Sequence, residues 1–505
     1  MSLRTLLVFA VFASCFSLQT QAAAYSSGAE APTKKAKRKP NIVFILADDL
    51  GYRELGCYGQ EKIKTPRLDK LAKEGMRLTH HYAGNAVCAP SRCVLMTGKH
   101  PGHAWVRNNR PAKPTGQQPI PDSVVTFAEV LKKQGYTTGA FGKWGIGATG
   151  NEGDPLKQGF DRFFGYHCQR KAHSYYPASL DDDDGQFKLN NNPPIPGHAK
   201  LPKNADKNDP RSYDRFKGQD YASDRINEAA LEFVRKNRDR PFFLYYPTII
   251  PHVALHVPDE ELKPYLAQGW NDPPFTKEKG FGYTPHYTPR AAYAAMITRL
   301  DRYVGKLLDE LDKLGLADDT IVVFTSDNGT THLKDEVDYD FFASVGELRG
   351  LKGRLYEGGV RVPAIIRWTG HVPADTVSDR VTGFEDWMPT LLDMIGDTKD
   401  QPKDIDGISF APTLEGKKQD PRPFLYREFA GYGGQQSVRV GDWKLIRTGM
   451  NSKKSKYKEE LFNLAKDPSE KHDVHQKHPE IVKKLQKLMQ QEHEPSKLFP
   501  LKKID

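Results

Sequence analysis

Between residues 40 and 370, continuous apolar runs alternate with stretches whose apolar residues recur every three or four positions. The first run, Asn41-Ile42-Val43-Phe44-Ile45-Leu46-Ala47, has no polar position after Asn41, which predicts a strand buried on both faces. Comparable runs occupy 136–141, 242–246, 320–325 and 364–368. Between them, 126–134, 221–237 and 291–314 read as helices, and Thr65-Pro66 opens another that carries Leu68 and Leu71 on one face. Strands alternating with helices predict an α/β fold: a large mixed, mainly parallel sheet flanked by helices. The texture shortens from about Gly396. Residues 437–446 read as a hairpin around Gly441-Asp442, 460–464 as a short strand and 479–493 as an amphipathic helix. A main domain over 40–395 followed by a small C-terminal α+β subdomain with an antiparallel sheet over 396–505 is therefore expected. The stretches 178–215 and 265–290 are rich in Asp, Asn, Pro and aromatics and exceed ordinary connections, so they are expected to be substrate-shaping loops.

The first residues follow another pattern. Arg4 precedes an apolar run over 5–18, and Ala22-Ala23-Ala24 offers a small-residue cleavage site, which predicts a secretory signal peptide over 1–24, too short to span a bilayer. Residues 25–39 read as a flexible basic tether. Export to the periplasm or the exterior follows, and Phe12-Ala13-Ser14 before Cys15 leaves a lipoprotein anchor open. No later stretch is apolar enough for a transmembrane span. Removal of the leader leaves Cys57, Cys88, Cys93 and Cys168, too few for a disulfide scaffold. The net charge of +10 is partly local, in 34–39, in Lys453, Lys454, Lys456 and Lys458, and in Lys483 to Lys487. Such runs are usually solvated faces that steer polyanions from a distance, and nucleic acid is not the expected partner.

Ligands of parallel sheets gather beyond the strand C-termini, where the sequence places Asp48-Asp49 and Asp327-Asn328. Their oxygens are hard ligands, suited to calcium or magnesium and poorly to zinc or copper. Three basic residues accompany them: Arg92, one turn beyond Cys88; Lys143, in Gly142-Lys143-Trp144-Gly145; and Lys352, in the glycine-rich stretch 348–363. His252 follows Pro251 at the same rim. Each alone reads as readily as a surface or packing residue.

Cys88-Ala89-Pro90-Ser91-Arg92, with Leu95, Thr97 and Gly98, has the pattern C-x-P-S-R-x-x-L-x-T-G. With Asp48-Asp49, Gly142-Lys143-Trp144, Pro251-His252, Asp327-Asn328-Gly329 and 352–363 in this order, the chain resembles the formylglycine-dependent (type I) sulfatases of the alkaline phosphatase superfamily. The resemblance covers nearly all of 40–370, and Gly441-Asp442-Trp443-Lys444-Leu445 resembles their C-terminal subdomain. It implies an alkaline-phosphatase-like sheet and conversion of Cys88 to formylglycine (3-oxoalanine) by a formylglycine-generating enzyme during maturation. The hydrated aldehyde offers two hydroxyls on one carbon, one to attack sulfur and the other to expel sulfate. By the same resemblance, Asp48, Asp49, Asp327 and Asn328 bind calcium, with magnesium second, together with an oxygen of modified Cys88. Arg92 and Lys143 support the hydrate, Lys143, Lys352 and His252 contact the sulfate, and His252 protonates the leaving alcohol.

The chain departs from the pattern at Gly145, where these sulfatases usually carry a histidine. His332, and after it His173, are the candidates to fill that place, and His173, Tyr175 and Tyr176 are candidates to contact a sugar. The expected substrate is a sulfated carbohydrate, with a galactose configuration suggested by resemblance to galactosamine-6-sulfatases. A phosphonate or phosphodiester hydrolase, and a non-catalytic binder of sulfated glycans, are the alternatives.

Overall fold

The computed structural model describes residues 38–113, 116–276, 282–453 and 456–505. The signal peptide expected over 1–24 lies outside the described residues, as does the tether over 25–39 apart from Arg38 and Lys39. In chain order the strands are β1 (Asn41–Ala47), β2 (Met76–Leu78), β3 (His81–Tyr82), β4 (Thr137–Lys143), β5 (Arg162–Tyr166), β6 (Ser179–Asp182), β7 (Gly185–Lys188), β8 (Phe242–Pro247), β9 (Thr320–Ser326), β10 (Ala364–Arg367), β11 (Thr376–Ser378), β12 (Thr382–Gly383), β13 (Leu425–Phe429), β14 (Gln435–Val440), β15 (Trp443–Thr448) and β16 (Lys458–Asn463). Ten of them form one sheet in the order β11-β2-β10-β9-β1-β8-β4-β5-β6-β7. Its centre, β9-β1-β8-β4-β5, is parallel throughout. β10 runs antiparallel to β9, and β6 and β7 add an antiparallel hairpin at the far edge. The hairpin lies in the stretch read from sequence as loop; Leu180 is its one buried apolar side chain, so no apolar pattern marked it.

The apolar run of β1 serves both faces, as period-two alternation requires. Val43 and Ile45 join a core with Leu68 and Leu71 of α1 (Pro66–Lys73), with α4 (Ala222–Lys236) through Ile226 and Val234, and with Leu300 and Leu307 of the long helix Pro289–Lys313. Ile42, Phe44 and Leu46 join a second core with Val94 and Leu95 of α2 (Cys88–Thr97), with Phe127 and Leu131 of α3 (Phe127–Lys133), and with the helix Trp387–Met394. α3 starts sharply because Thr126 and Glu129 form a reciprocal capping box. None of the helices among the described residues is long and apolar enough to cross a membrane.

The sheet β13-β14-β15-β16 is antiparallel. One face packs on the terminal helix Pro479–Gln491 through Val482, Leu485 and Met489. The other lies against Ala86, Val87, Leu355 and Tyr356, the residues that lead into Cys88 and out of Lys352. Buried ion pairs key it in place: Arg427 to Glu385 (2.9 Å), and Lys444 to Glu357 (2.8 Å) and Glu470 (2.9 Å).

A buried carboxyl lies beneath the loop that follows β1. Glu54 accepts from the Gly51 N–H (2.6 Å) and from the hydroxyls of Tyr293 (2.7 Å) and Thr330 (3.2 Å). Burial pushes its pKa up from 4.5 to about 7. The folded state then holds a proton that the unfolded chain has released, so stability falls as pH rises from about 4.5 to about 7 and is level above. Glu54→Gln should flatten that part of the profile and stabilise the protein at pH 8 by up to about 3 kcal/mol. Urea unfolding of both proteins at pH 5 and pH 8 measures it; parallel pH profiles would refute it.

Candidate active site

The five parallel strands end on one edge, and each delivers a polar residue there. Asp48 and Asp49 follow β1, Asp327 and Asn328 follow β9, Lys143 closes β4, His252 lies on the loop after β8, and His173 lies on the loop after β5. Successive strand residues face opposite ways, but Asp49 has a left-handed backbone (φ 66°), which breaks the alternation. Carboxylate oxygens of Asp48 and Asp49 and a nitrogen of His252 consequently lie within 4.8 Å of one another, as do the ligand atoms of Asp48, Cys88 and Asp327.

The donor set suits a hard cation. All four oxygen-bearing residues are buried, at most 2 % exposed. Asp48 Oδ1 and Asn328 Oδ1 have no hydrogen-bond partner, an expensive arrangement for buried acceptors unless a cation satisfies them. The Asn328 amide is oriented by donating to Asp49 Oδ1 (2.7 Å), which leaves its carbonyl oxygen for the centre. The Asp49 N–H donates to Asp327 Oδ1 (3.2 Å). These residues could hold calcium or magnesium.

Three cations surround the carboxylates. Arg92 donates to Asp327 Oδ2 from Nε (3.1 Å) and Nη2 (2.8 Å), and also to the Lys143 carbonyl. Lys143 Nζ donates to Asp48 Oδ2 (2.6 Å), and Lys352 Nζ to Asp49 Oδ2 (2.7 Å). Burial would raise the Asp48 pKa, but the charges of Lys143, Arg92 and Lys352 outweigh it and hold the carboxyl well below its usual range. Asp327 goes the other way, to about 6, through burial and the neighbouring charge of Asp48. His252 Nε2 lies 3.6 Å from Asp49 Oδ2. Burial, reinforced by Lys352, holds its pKa far below 6.5, so the resting imidazole is neutral.

Cys88 is the first residue of α2 and 2 % exposed, so it sits at the positive end of the helix dipole. Its Sγ accepts from Asn109 Nδ2 (3.6 Å), while Asn109 Oδ1 accepts the Ala89 N–H (3.1 Å). Asn109 carries no signal in the sequence that sets it apart from other loop asparagines; only the fold brings it to Cys88.

A cavity of about 370 Å³ opens onto this centre, lined by Asp49, Cys88, His252 and Lys352 and, from the surrounding loops, by Asn109, Gln169, His173, His198, Tyr283 and His332 among others. His173 stacks on His252 with ring centroids 4.8 Å apart and planes 10° apart. His332 also lines the cavity, edge-on to Tyr432 at 5.5 Å. Against Gly145 itself packs Gln169, which supplies the three atoms nearest to a Cβ placed there. The expectation that Tyr175 contacts a sugar is overturned. Tyr175 is fully buried, stacks on Tyr221, and spends its hydroxyl on the carbonyls of Ile249 and His252 (2.6 Å each). Tyr176 is also buried and faces a different, more apolar cavity beside His256. Cys57, Cys88, Cys93 and Cys168 are all free thiols.

Comparison with known proteins agrees with this arrangement. The family model described as Sulfatase matches residues 40–397, and that described as N-sulphoglucosamine sulphohydrolase, C-terminal, matches 346–495. Human N-acetylgalactosamine-6-sulfatase is 32% identical over 81% of this chain and 73% of its own length. Human arylsulfatase A is 32% identical over 89% of this chain and 87% of its own. Among solved structures, Ps i-CgsB in complex with k-i-k-neocarrahexaose superposes with a TM-score of 0.71 at 27% identity, over 90% of this chain and 92% of that one.

Proposed function

This chain belongs to the sulfatase family and is a sulfuric ester hydrolase, and on that premise we propose that it is an exported enzyme that removes sulfate esters from carbohydrates by means of a formylglycine at position 88. The observation that carries the proposal is the meeting of Cys88, at a helix N-terminus, with a carboxylate cluster that keeps two buried oxygens unpartnered. A thiol at that point has no use for a hard-metal centre, whereas the oxygens of an aldehyde hydrate do. Asp48, Asp49, Asp327 and Asn328 would hold calcium, which supplies charge neutralisation for the sulfate and acidifies a hydroxyl beside it.

The chain's own residues account for the rest. Arg92 and Lys143, paired to Asp327 and Asp48, fix the carboxylates and present positive charge beside position 88. Lys352, on the cavity wall, meets the sulfate from the side of Asp49. One hydroxyl of the hydrate at position 88, having given up its proton, bonds to sulfur through its oxygen as the bond from sulfur to the alcohol oxygen breaks. His252 is neutral at rest, and the anionic ester beside it raises its affinity for a proton, which it delivers to the departing alkoxide. The hydroxyl left on carbon 88 then loses its proton, the carbonyl reforms, and sulfate departs with the bonding electrons.

Carbohydrate is supported by relatives' names, and galactose-configured sugars are the class to test first because several relatives are named as N-acetylgalactosamine-6-sulfatases. Sulfate release from a panel of mono-sulfated sugars, run beside aryl phosphodiesters and phosphonates, tests the reading. Turnover of at least one 6-sulfated galactose or galactosamine ester above all phosphorus esters is expected. A phosphodiester or phosphonate hydrolysed faster than every sulfate ester would displace it.

A further inference from the structure

The turn that follows β4 carries no side chain at Gly145. Its backbone is left-handed (φ 87°), a conformation natural to glycine, and its N–H donates to the His167 carbonyl (3.2 Å). A Cβ placed there would stand 2.7 Å from Gln169 Nε2, 3.0 Å from its Cγ and 3.2 Å from its Cδ. The space is already taken. Gln169 reaches it from the exit of the neighbouring strand: β5 runs parallel to β4 with Lys143 opposite Tyr166, and the residues after Tyr166 fold back over the turn.

Two further observations point to a ligand. Gln169 is 4 % exposed yet lines the cavity that contains Cys88, Asp49, His252 and Lys352. Its Nε2, a double donor, has no hydrogen-bond partner in the protein. Buried donors without acceptors are rare in folded proteins, and this one belongs to a residue of the same cavity wall as the cationic Lys352 and the imidazole of His252.

We infer that Gln169 is a substrate-binding residue: its amide NH2 donates to an oxygen of the sulfuryl group from the place against Gly145 that this side chain fills. The assignment rests on the sulfate-ester reading above. A carboxamide neither gains nor loses a proton near neutral pH, so this position supplies a fixed donor and no base. Whatever deprotonates the hydroxyl at position 88 is supplied from elsewhere.

The test compares the calcium-loaded wild type with Gln169→Leu, which keeps the bulk without the donor, and with Gln169→His, which restores a donor that titrates. Calorimetric binding of inorganic sulfate and steady-state kinetics on one sulfate ester are both measured. Gln169→Leu should weaken sulfate binding by about 10-fold or more, the worth of a hydrogen bond to a charged group, and should raise KM more than it lowers kcat. Gln169→His should recover part of the affinity with a new dependence on pH that the wild type lacks. Gln169→Ala stands in if the leucine variant does not fold. Binding of sulfate and KM within about two-fold of wild type in the donorless variant, well below that expected loss, would overturn the assignment. A wild type that binds sulfate through Gln169 but cleaves no sulfate ester would sink the enzymatic reading and leave this one standing; an active wild type indifferent to Gln169 would do the reverse.

Discussion

Cys88→Ala should remove sulfate release, lowering turnover by about four orders of magnitude or more, as loss of a covalent nucleophile does in other hydrolases. The fold should survive. Cys88 is the first residue of α2, where helix propensity matters least, and alanine keeps the buried Cβ; the Asn109 amide loses only a weak, 3.6 Å contact to sulfur. Thermal unfolding of the variant should therefore stay close to wild type while activity vanishes, which separates a chemical loss from a structural one. Peptide mass spectrometry of the active wild type should show residue 88 with its sulfur gone and an aldehyde oxygen gained. An unmodified thiol in a fully active preparation would end the formylglycine proposal.

Asp327 should be nearly as sensitive. Asp327→Asn keeps the shape but removes a charge from the carboxylate cluster, and activity should fall by several orders of magnitude as the cation is lost. Chelation of the wild type should have the same effect, with activity restored by calcium and not by zinc. Asp327→Ala should do more, because two of the three Arg92 hydrogen bonds at this centre end on Asp327 Oδ2. Breaking a buried pair by removing one partner costs about 3–5 kcal/mol, so this variant should also unfold at lower temperature than the asparagine one. If enzyme stripped of metal kept its rate, the assignment of this cluster as a metal centre would be wrong.

The parts of the site that could be read from the chain are those where residue type and position coincide with a demand of chemistry. Asp48-Asp49 and Asp327-Asn328 end apolar runs that could only be buried strands, so their placement at a shared rim follows from parallel topology. Gln169 and Asn109 could not be found that way: each is a neutral amide in a loop, and only the approach of distant segments makes it part of the centre. Tyr175 failed for a related reason. An aromatic after a strand is equally suited to a sugar or to the core, and the choice is made by Tyr221 and by two carbonyls, those of Ile249 and His252, that need its hydroxyl. Strand direction was hidden as well. The run at Ala364–Arg367 is as apolar as its neighbours, and nothing in it records that β10 lies antiparallel to β9.

The C-terminal sheet bears on time as well as on shape. Residues 83–87, which lead into Cys88, are pinned by it: Arg427 Nε donates to the Ala83 carbonyl (2.8 Å), Asn85 Nδ2 donates to the Glu428 carbonyl (2.8 Å), and Ala86 and Val87 pack against Leu425 and Phe429. In synthesis from the N-terminus, β13 follows Cys88 by an interval on the order of tens of seconds at ribosomal rates. Until β13 arrives, the peptide around Cys88 lacks the partners that bury it. On the formylglycine proposal, that delay is the period in which Cys88 is open to a modifying enzyme, and the closing of the last sheet ends it.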